Sequence, residues 1–319
     1  MFAMLHGAWP QAPDEGGADE RAHVEAAVRA QLDAGLELVT DGLVRWPDPA
    51  ASLLDAIRAG DTGPDGLLVR AWRETADIAA SLAGRDADAP PPTTAAVLTG
   101  PYTLASGARL DDEATTSLAL QLHEELLALA DAGCTLAVIE EPAATGIAGD
   151  EEARRRFREA QLALLGDEPP LHAMLAITGG SAWEAGAETI LDAPYASYLF
   201  DLIDGPDNWY LVRAAPGDRG IVCAALRTPS ASDQAPLLVW AARYAASANG
   251  RGPGRVGIAN ASSLAGLDVP AARASLEAIV RAARLAAMEP EDAVAAGLDR
   301  RTFAQPPGRG ARPRRMSGP

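Results

Sequence analysis

Short apolar runs alternate with amphipathic stretches from one end of the chain to the other. Eight runs (residues 2–6, 37–40, 95–99, 136–139, 171–176, 197–201, 220–226 and 255–260) are mostly apolar at every position. That pattern predicts parallel strands buried on both faces. Between them the apolar residues recur at helical spacing. Leu118, Leu122, Leu126 and Leu129 form one stripe, Leu276, Ile279, Val280 and Ala283 a second, and residues 151–165 carry a third. Asp150 stands where an N-cap is needed, and Gly35, Gly133 and Gly166 stand where helices must stop.

Eight strands alternating with helices predict an α/β fold, a closed (β/α)8 TIM barrel of one domain. An open doubly wound sheet would begin with a glycine-rich first turn, but here that turn reads Gly7-Ala8-Trp9-Pro10. Residues 43–92 are too long for a plain strand-to-helix loop. They contain two helical patterns, 50–59 and 67–82, and close on Pro90-Pro91-Pro92, which predicts a helical insertion after strand two beside the barrel mouth. Residues 1–290 are expected to form the barrel and 291–319 a C-terminal extension. From about residue 304 the extension is rich in Pro, Gly and Arg without apolar periodicity, so disorder is expected there, with Arg309, Arg312, Arg314 and Arg315 solvated.

Composition narrows the chemistry. Of the 319 residues 48% are hydrophobic but only 5% aromatic, so the core must be built from Ala, Leu, Val and Ile. A net charge of −17 argues against nucleic-acid or anionic-membrane partners, leaving a small-molecule ligand as the expected one. All 27 basic residues are Arg; without a lysine there is no Schiff base, pyridoxal-phosphate anchor or P-loop lysine. Cys134 and Cys223 make no disulfide framework, and no apolar run approaches the ~18 residues of a membrane span. A cytoplasmic protein is expected; no feature specifies an oligomeric state.

In a (β/α)8 barrel the chemistry sits where strands end. The polar or aromatic residues at those positions are His6 and Trp9, Asp41 and Arg45, Tyr102, Glu140 and Glu141, Asp201, Arg227, and Asn260. The Glu140-Glu141 pair is the strongest signal. Neighbours on a strand point to opposite faces, so one carboxylate can face the mouth while the other engages loops or helices. A mouth carboxylate could bind an ammonium, ligate a metal or exchange a proton; the plainer reading is a structural carboxylate bonded to loop amides or an Arg. No local Cys or His spacing supports a metal site. His23 and His123 fall in helical stretches and are expected at solvent, and Cys134 is expected to be a buried apolar residue. His172, Asp201 and Cys223, on successive strands, are the one set that could converge on zinc. Ile177-Thr178-Gly179-Gly180-Ser181 could present amides to an anion, or be a plain glycine turn.

Taken in order, these strand ends resemble the C-terminal catalytic barrel of cobalamin-independent methionine synthase, in the superfamily that includes uroporphyrinogen decarboxylase. The resemblance covers about residues 4–286. It is carried by His6-Gly7-Ala8-Trp9-Pro10, Val39-Thr40-Asp41-Gly42, Leu98-Thr99-Gly100-Pro101-Tyr102-Thr103-Leu104, Gly133-Cys134, Val138-Ile139-Glu140-Glu141-Pro142-Ala143 and Ile258-Ala259-Asn260-Ala261-Ser262-Ser263-Leu264. The family methylates homocysteine held as a zinc thiolate. Its zinc ligands, a His and a Cys on strand five, a Glu on strand six and a Cys after strand eight, match Met174, Ala176, Asp201 and Ser263 here. A carboxylate-binding Ser matches Ala8, one amino-binding Glu matches Leu43, the other amino-binding carboxylate survives as Glu140, and a proton-donating His matches Arg227.

The resemblance therefore implies the fold with a degenerate zinc site. The expected function is binding of a small anionic or amino-acid-like molecule at the mouth. Glu140, Asp201 and Arg227 are the candidate catalytic residues, and Trp9, Asp41, Arg45, Tyr102, Glu141 and Asn260 the candidate substrate contacts. No cofactor is expected, with zinc the one alternative, and the lost ligands argue against zinc-dependent methyl transfer. Two alternatives stay open: a non-catalytic binding or partner protein on the same barrel, and residual methyl transfer with zinc on His172, Asp201 and Cys223.

Overall fold

A computed structural model describes residues 1–11, 19–84, 92–229 and 233–303. The strands are β1 (Phe2–Met4), β2 (Leu38–Val39), β3 (Thr93–Thr94), β4 (Ala96–Thr99), β5 (Leu136–Glu140), β6 (His172–Ile177), β7 (Ser197–Asp201), β8 (Gly220–Leu226) and β9 (Val256–Asn260). Seven form one curled parallel sheet in the order β1-β9-β8-β7-β6-β5-β4, and β2 pairs with β3 in parallel. The expected third strand is thus divided at Ala95. The pairing with β2 nevertheless continues through it, since the Ala95 amide donates to the Val39 carbonyl at 2.9 Å. β1 also packs against β2.

Side chains alternate across this sheet and build two cores. Inside the curl lie Met4, Leu38, Val138, Met174, Ala176, Leu199, Val222, Ala224 and Ala259. Outside it, Ile139, Leu175, Phe200, Ile221 and Ile258 meet the helices. The helical stripes behave as their spacing requires: Leu118, Leu122, Leu126 and Leu129 are buried on helix Asp112–Asp131, and Leu276, Ile279, Val280 and Ala283 on helix Val269–Ala287. Asp150 accepts from the Glu152 and Ala153 amides at the start of Glu151–Leu165. Gly35 adopts the left-handed conformation (φ 90°) that ends helix Glu20–Ala34. Helices Pro49–Ala59 and Leu67–Ala83 occupy the segment between β2 and β3. No described helix is long and apolar enough to cross a membrane. The Arg-rich segment from 304, and Pro90 and Pro91, lie outside the described residues.

Two buried polar side chains fasten the backbone. Arg251, 2% exposed, donates from its guanidinium to the carbonyls of Arg219, Ala245, Ala215 and Pro216. Asn260, fully buried at the end of β9, accepts from the His6 amide at 3.0 Å. It donates to the His6 carbonyl at 2.6 Å and to that of Ser262 at 2.9 Å. It therefore ties the chain after β1 to the end of β9. Asn260→Ala removes both sides of that exchange, and a loss of about 2 kcal/mol is expected in urea unfolding; an unchanged midpoint would refute this role.

Candidate functional site at the strand ends

The site is built where Asp41, Glu140 and His6 come together at the C-terminal ends of β2, β5 and the chain leaving β1. The Asp41-Gly42-Leu43 turn requires its glycine. Gly42 has φ 66°, and a Cβ there would stand 2.9 Å from the Trp9 Cβ. Trp9 is buried and donates its amide to the Gly42 carbonyl at 2.8 Å, so the first and second strand-end loops are locked together. Asp41 accepts from the Leu43 amide at 2.9 Å and the Trp46 indole at 3.1 Å, and its Oδ2 lies 3.6 Å from the Arg45 Nε. Burial raises its pKa above the usual carboxylate value. The Arg45 guanidinium, 4% exposed, is held by Glu20 at 2.8 Å and Glu74 at 2.6 Å; its buried Nε has no hydrogen-bond partner among the described residues.

The adjacent glutamates divide as strand geometry requires. Glu141 is fully buried behind β5. Its carboxylate accepts from the Tyr102 amide (3.0 Å), the Thr103 amide (2.7 Å), the Thr103 hydroxyl (2.6 Å) and the Gln161 amide group (2.7 Å). It thereby caps helix Pro101–Ala108, whose N-cap residue, Gly100, has no side chain to do so. Gly100 is dictated by this approach, since a Cβ there would come within 2.3 Å of a Glu141 oxygen. Tyr102 is buried with its ring edge-on to Phe157 at 5.4 Å, among the helices and away from Glu140.

Glu140 faces the inside of the curl and keeps 19% side-chain exposure. Its Oε1 stands 3.5 Å from Nε2 of His6, and no described backbone amide donates to it. Burial, with the nearby Asp41 charge second, pushes its pKa up to about 7. His6 is 8% exposed, with Nε2 also 3.4 Å from the Thr178 hydroxyl and Nδ1 without a partner among the described residues. Burial takes its pKa down to about 4, so the imidazole is neutral at pH 7. The cleft beside Glu140, walled by Leu43, Trp46, Pro49, Leu53 and Leu68, holds about 10 Å³, close to the least that admits one water. Only a small head group fits between these side chains as they stand.

The other candidates lie elsewhere. Asp201, fully buried, accepts from the amides of Gly179 (3.0 Å), Ile203 (2.8 Å) and Asp204 (3.0 Å). The 177–181 turn therefore spends its Gly179 amide on Asp201 rather than offering it to an anion. Arg227 is exposed at the end of β8, its backbone bonded to the Gln234 side chain. Asn260 acts on the His6 backbone. His172, Asp201 and Cys223 are not brought together. His172 is at the start of β6 and bonds the Ser197 hydroxyl at 2.8 Å, Asp201 ends β7, and Cys223 points outward with its sulfur 3.7 Å from the Ala241 carbonyl. His23 and His123 are partly exposed, and His123 bonds the Leu164 carbonyl at 2.9 Å. Cys134 is buried, as its composition suggests. His6 stands among the strand-end residues of the sequence, but neither the catalytic nor the substrate-binding expectation includes it. Its signal was present, a lone His at the end of an inward-facing Phe2, Met4, His6 alternation.

The four positions that match zinc ligands of the resembled family can be tested on these contacts. Met174 and Ala176 are buried in the apolar inner core, Asp201 already accepts from three amides, and the Ser263 hydroxyl bonds the Ala8 backbone at 3.2 Å. This set does not fit zinc, because it offers one carboxylate and one hydroxyl where zinc needs three or four His, Cys or carboxylate donors. Among the described residues no three His, Cys, Asp or Glu side chains form a group able to hold a metal ion.

No protein-family model matches the chain, and no curated protein matches its sequence. Solved structures do match its fold. A putative vitamin-B12-independent methionine synthase from Listeria monocytogenes superposes with TM-score 0.68 at 14% identity, covering 91% of this chain and 98% of that one. A B12-independent methionine synthase from Shewanella sp. W3-18-1, in complex with selenomethionine, gives 0.67 at 13% identity over 92% and 98%. The metallated homocysteine methyltransferase MmuM from Escherichia coli gives 0.53 at 13% identity over 87% and 95%. At these identities what is shared is the fold: the chain has the curled parallel α/β architecture of methionine-synthase-like and homocysteine-methyltransferase structures.

Proposed function

We propose that the strand-end mouth binds a small amino-acid-like molecule by its ammonium group, with Glu140 as the receiving carboxylate. The observation that carries this reading is the contrast among the carboxylates. Asp41, Glu141 and Asp201 are all fed by backbone amides, whereas among the described residues Glu140 has only His6 at 3.5 Å. A desolvated carboxyl without donors is costly to the fold, and a bound cation offsets that cost. The narrow cleft suits an ammonium head rather than a bulky group. With a pKa near 7, Glu140 can also take or give a proton, the requirement for general acid–base work. Arg227 is assigned the ligand's anionic end, and Asp201, Glu141 and Asn260 hold the loops and His6 in place. The names of the structural neighbours, and the selenomethionine in one of them, support the same ligand class. We read the sheet as a complete (β/α)8 ring closed through β2, with residues 43–92 as an insertion at its mouth. Thiol activation by zinc has no part in this proposal, because the donor set does not fit it.

Isothermal titration with L-methionine and L-homocysteine tests the reading. Ammonium binding needs the ionised carboxylate, so affinity should rise about tenfold from pH 6 to pH 8 as Glu140 loses its proton. Glu140→Gln should abolish that rise and weaken binding at pH 8 at least tenfold. Absence of binding by both amino acids at pH 8 would overturn the proposal and favour a non-catalytic barrel; so would a Glu140→Gln protein that binds as well as the parent.

A further inference from the structure

At the opposite end of the strands the inside of the sheet opens into a second cavity, of about 490 Å³. Its existence follows from the layer that should fill it. A barrel interior is normally packed by layers of branched side chains. Here β7 and β8 contribute Ser197 and Gly220 to the lowest layer. A Cβ on Gly220 would stand 2.8 Å from the Ser197 Cβ, so no larger residue can occupy that position without displacing its neighbour. The walls are Phe2, Leu136, Met174 and Val222.

A polar pair interrupts these walls, and Thr93 adds an exposed hydroxyl at their edge. Ser197, 4% exposed, bonds through its hydroxyl to Nε2 of His172 at 2.8 Å. His172 keeps solvent exposure at the start of β6, and its partial desolvation lowers its pKa, so hydroxyl and neutral imidazole together offer one donor and one acceptor without charge. The rim carries Glu37, Asp218, Arg219 and Arg255, two acids against two bases. Arg219 is already engaged, with Nη1 on the Tyr195 carbonyl at 3.0 Å and Nε 3.8 Å from Asp218. Such a rim has no net charge with which to select an ion.

We propose that this cavity is a second binding site, for an uncharged molecule with an apolar body and one hydroxyl or carbonyl group. The body fills the space between Phe2, Leu136, Met174 and Val222, and the polar group joins the Ser197–His172 pair. The size lies within the ordinary range of small-molecule pockets, and apolar walls with few polar groups are their usual make-up. This site shares no residue with the Glu140 mouth, so the two proposals stand or fall separately.

The test uses the whole chain labelled with ¹³C-methyl methionine. There are five methionines, and Met174, assigned through Met174→Leu, reports on the cavity wall. Benzyl alcohol, toluene and benzoate are the probes. Benzyl alcohol should shift the Met174 methyl saturably and about tenfold more tightly than toluene, the worth of one hydrogen bond. Benzoate should bind more weakly than the alcohol, and Ser197→Ala should bring alcohol and toluene together. A Met174 signal unmoved by every probe would refute the site. Toluene binding as tightly as benzyl alcohol in the parent protein would refute the role of the polar pair, and tighter binding of benzoate would refute the uncharged ligand. The comparison of probes in the parent decides the matter even if Ser197→Ala does not fold.

Discussion

Glu141→Ala is expected to lose roughly 4 kcal/mol of stability, the largest single effect available near the site. The substitution strands four buried or part-buried donors at once: the Tyr102 and Thr103 amides, the Thr103 hydroxyl and the Gln161 side chain. Each orphaned donor costs about 1–3 kcal/mol, because water cannot reach it while the helix stays docked. Relaxation of the helix Pro101–Ala108 start recovers part of this, which keeps the sum at the lower end. Urea unfolding with an unchanged slope and a lowered midpoint would report the loss. A drop below 1 kcal/mol would show that Glu141 is not the fastening described here. Glu141→Gln keeps one acceptor oxygen and should fall between.

Glu140→Gln is expected to act in the opposite direction, stabilising the free protein by about 3 kcal/mol at pH 8. The Glu140 pKa is raised to about 7 in the folded chain from an ordinary value of 4.5. The folded state therefore binds the proton more tightly than the unfolded one. Stability that is complete below about pH 4.5 is lost as pH rises, and the loss is finished above about pH 7. His6 works the other way. Its folded pKa, about 4 against 6.5, means that its contribution is complete above pH 6.5 and lost as pH falls towards 4. In the parent the two slopes oppose each other between about pH 4.5 and 6.5. Removing the Glu140 titration should leave the His6 slope exposed, so the variant should lose stability steadily as pH falls through that window. Equal stability of parent and variant at pH 8 would sink this account, and with it the desolvated state of Glu140 on which the ligand reading depends.

These opposite effects come from adjacent residues of one chemical type. Strand alternation places Glu140 and Glu141 on opposite faces, and that much was legible from the Glu-Glu dipeptide at the end of an apolar run. Which of them would be saturated was not. That depended on Gly100-Pro101 bringing a helix start up to Glu141, and on Gln161 approaching from a helix twenty residues further along the chain. Asp201 illustrates the same gap. Its position at a strand end was readable, but the three amides that engage it come from turns whose course the sequence does not reveal. Of the three residues that could have converged on zinc, His172 stands at the start of β6 and Cys223 within β8 on the outer face, a separation set by strand register rather than by local sequence.

What the sequence determined by itself is the layout: strand and helix order, the parallel α/β class, the helix caps and the apolar faces. Those follow from local periodicity and from the conformational limits of single residues such as Gly35 and Asp150. Tertiary structure alone decided which charges remain available. Whether a carboxyl is saturated or left desolvated depends on amides and imidazoles brought to it from distant segments, as His6 is brought to Glu140 across 134 positions. The unfilled space beside Ser197 is of the same kind, because it depends on how side chains from several strands meet around one axis.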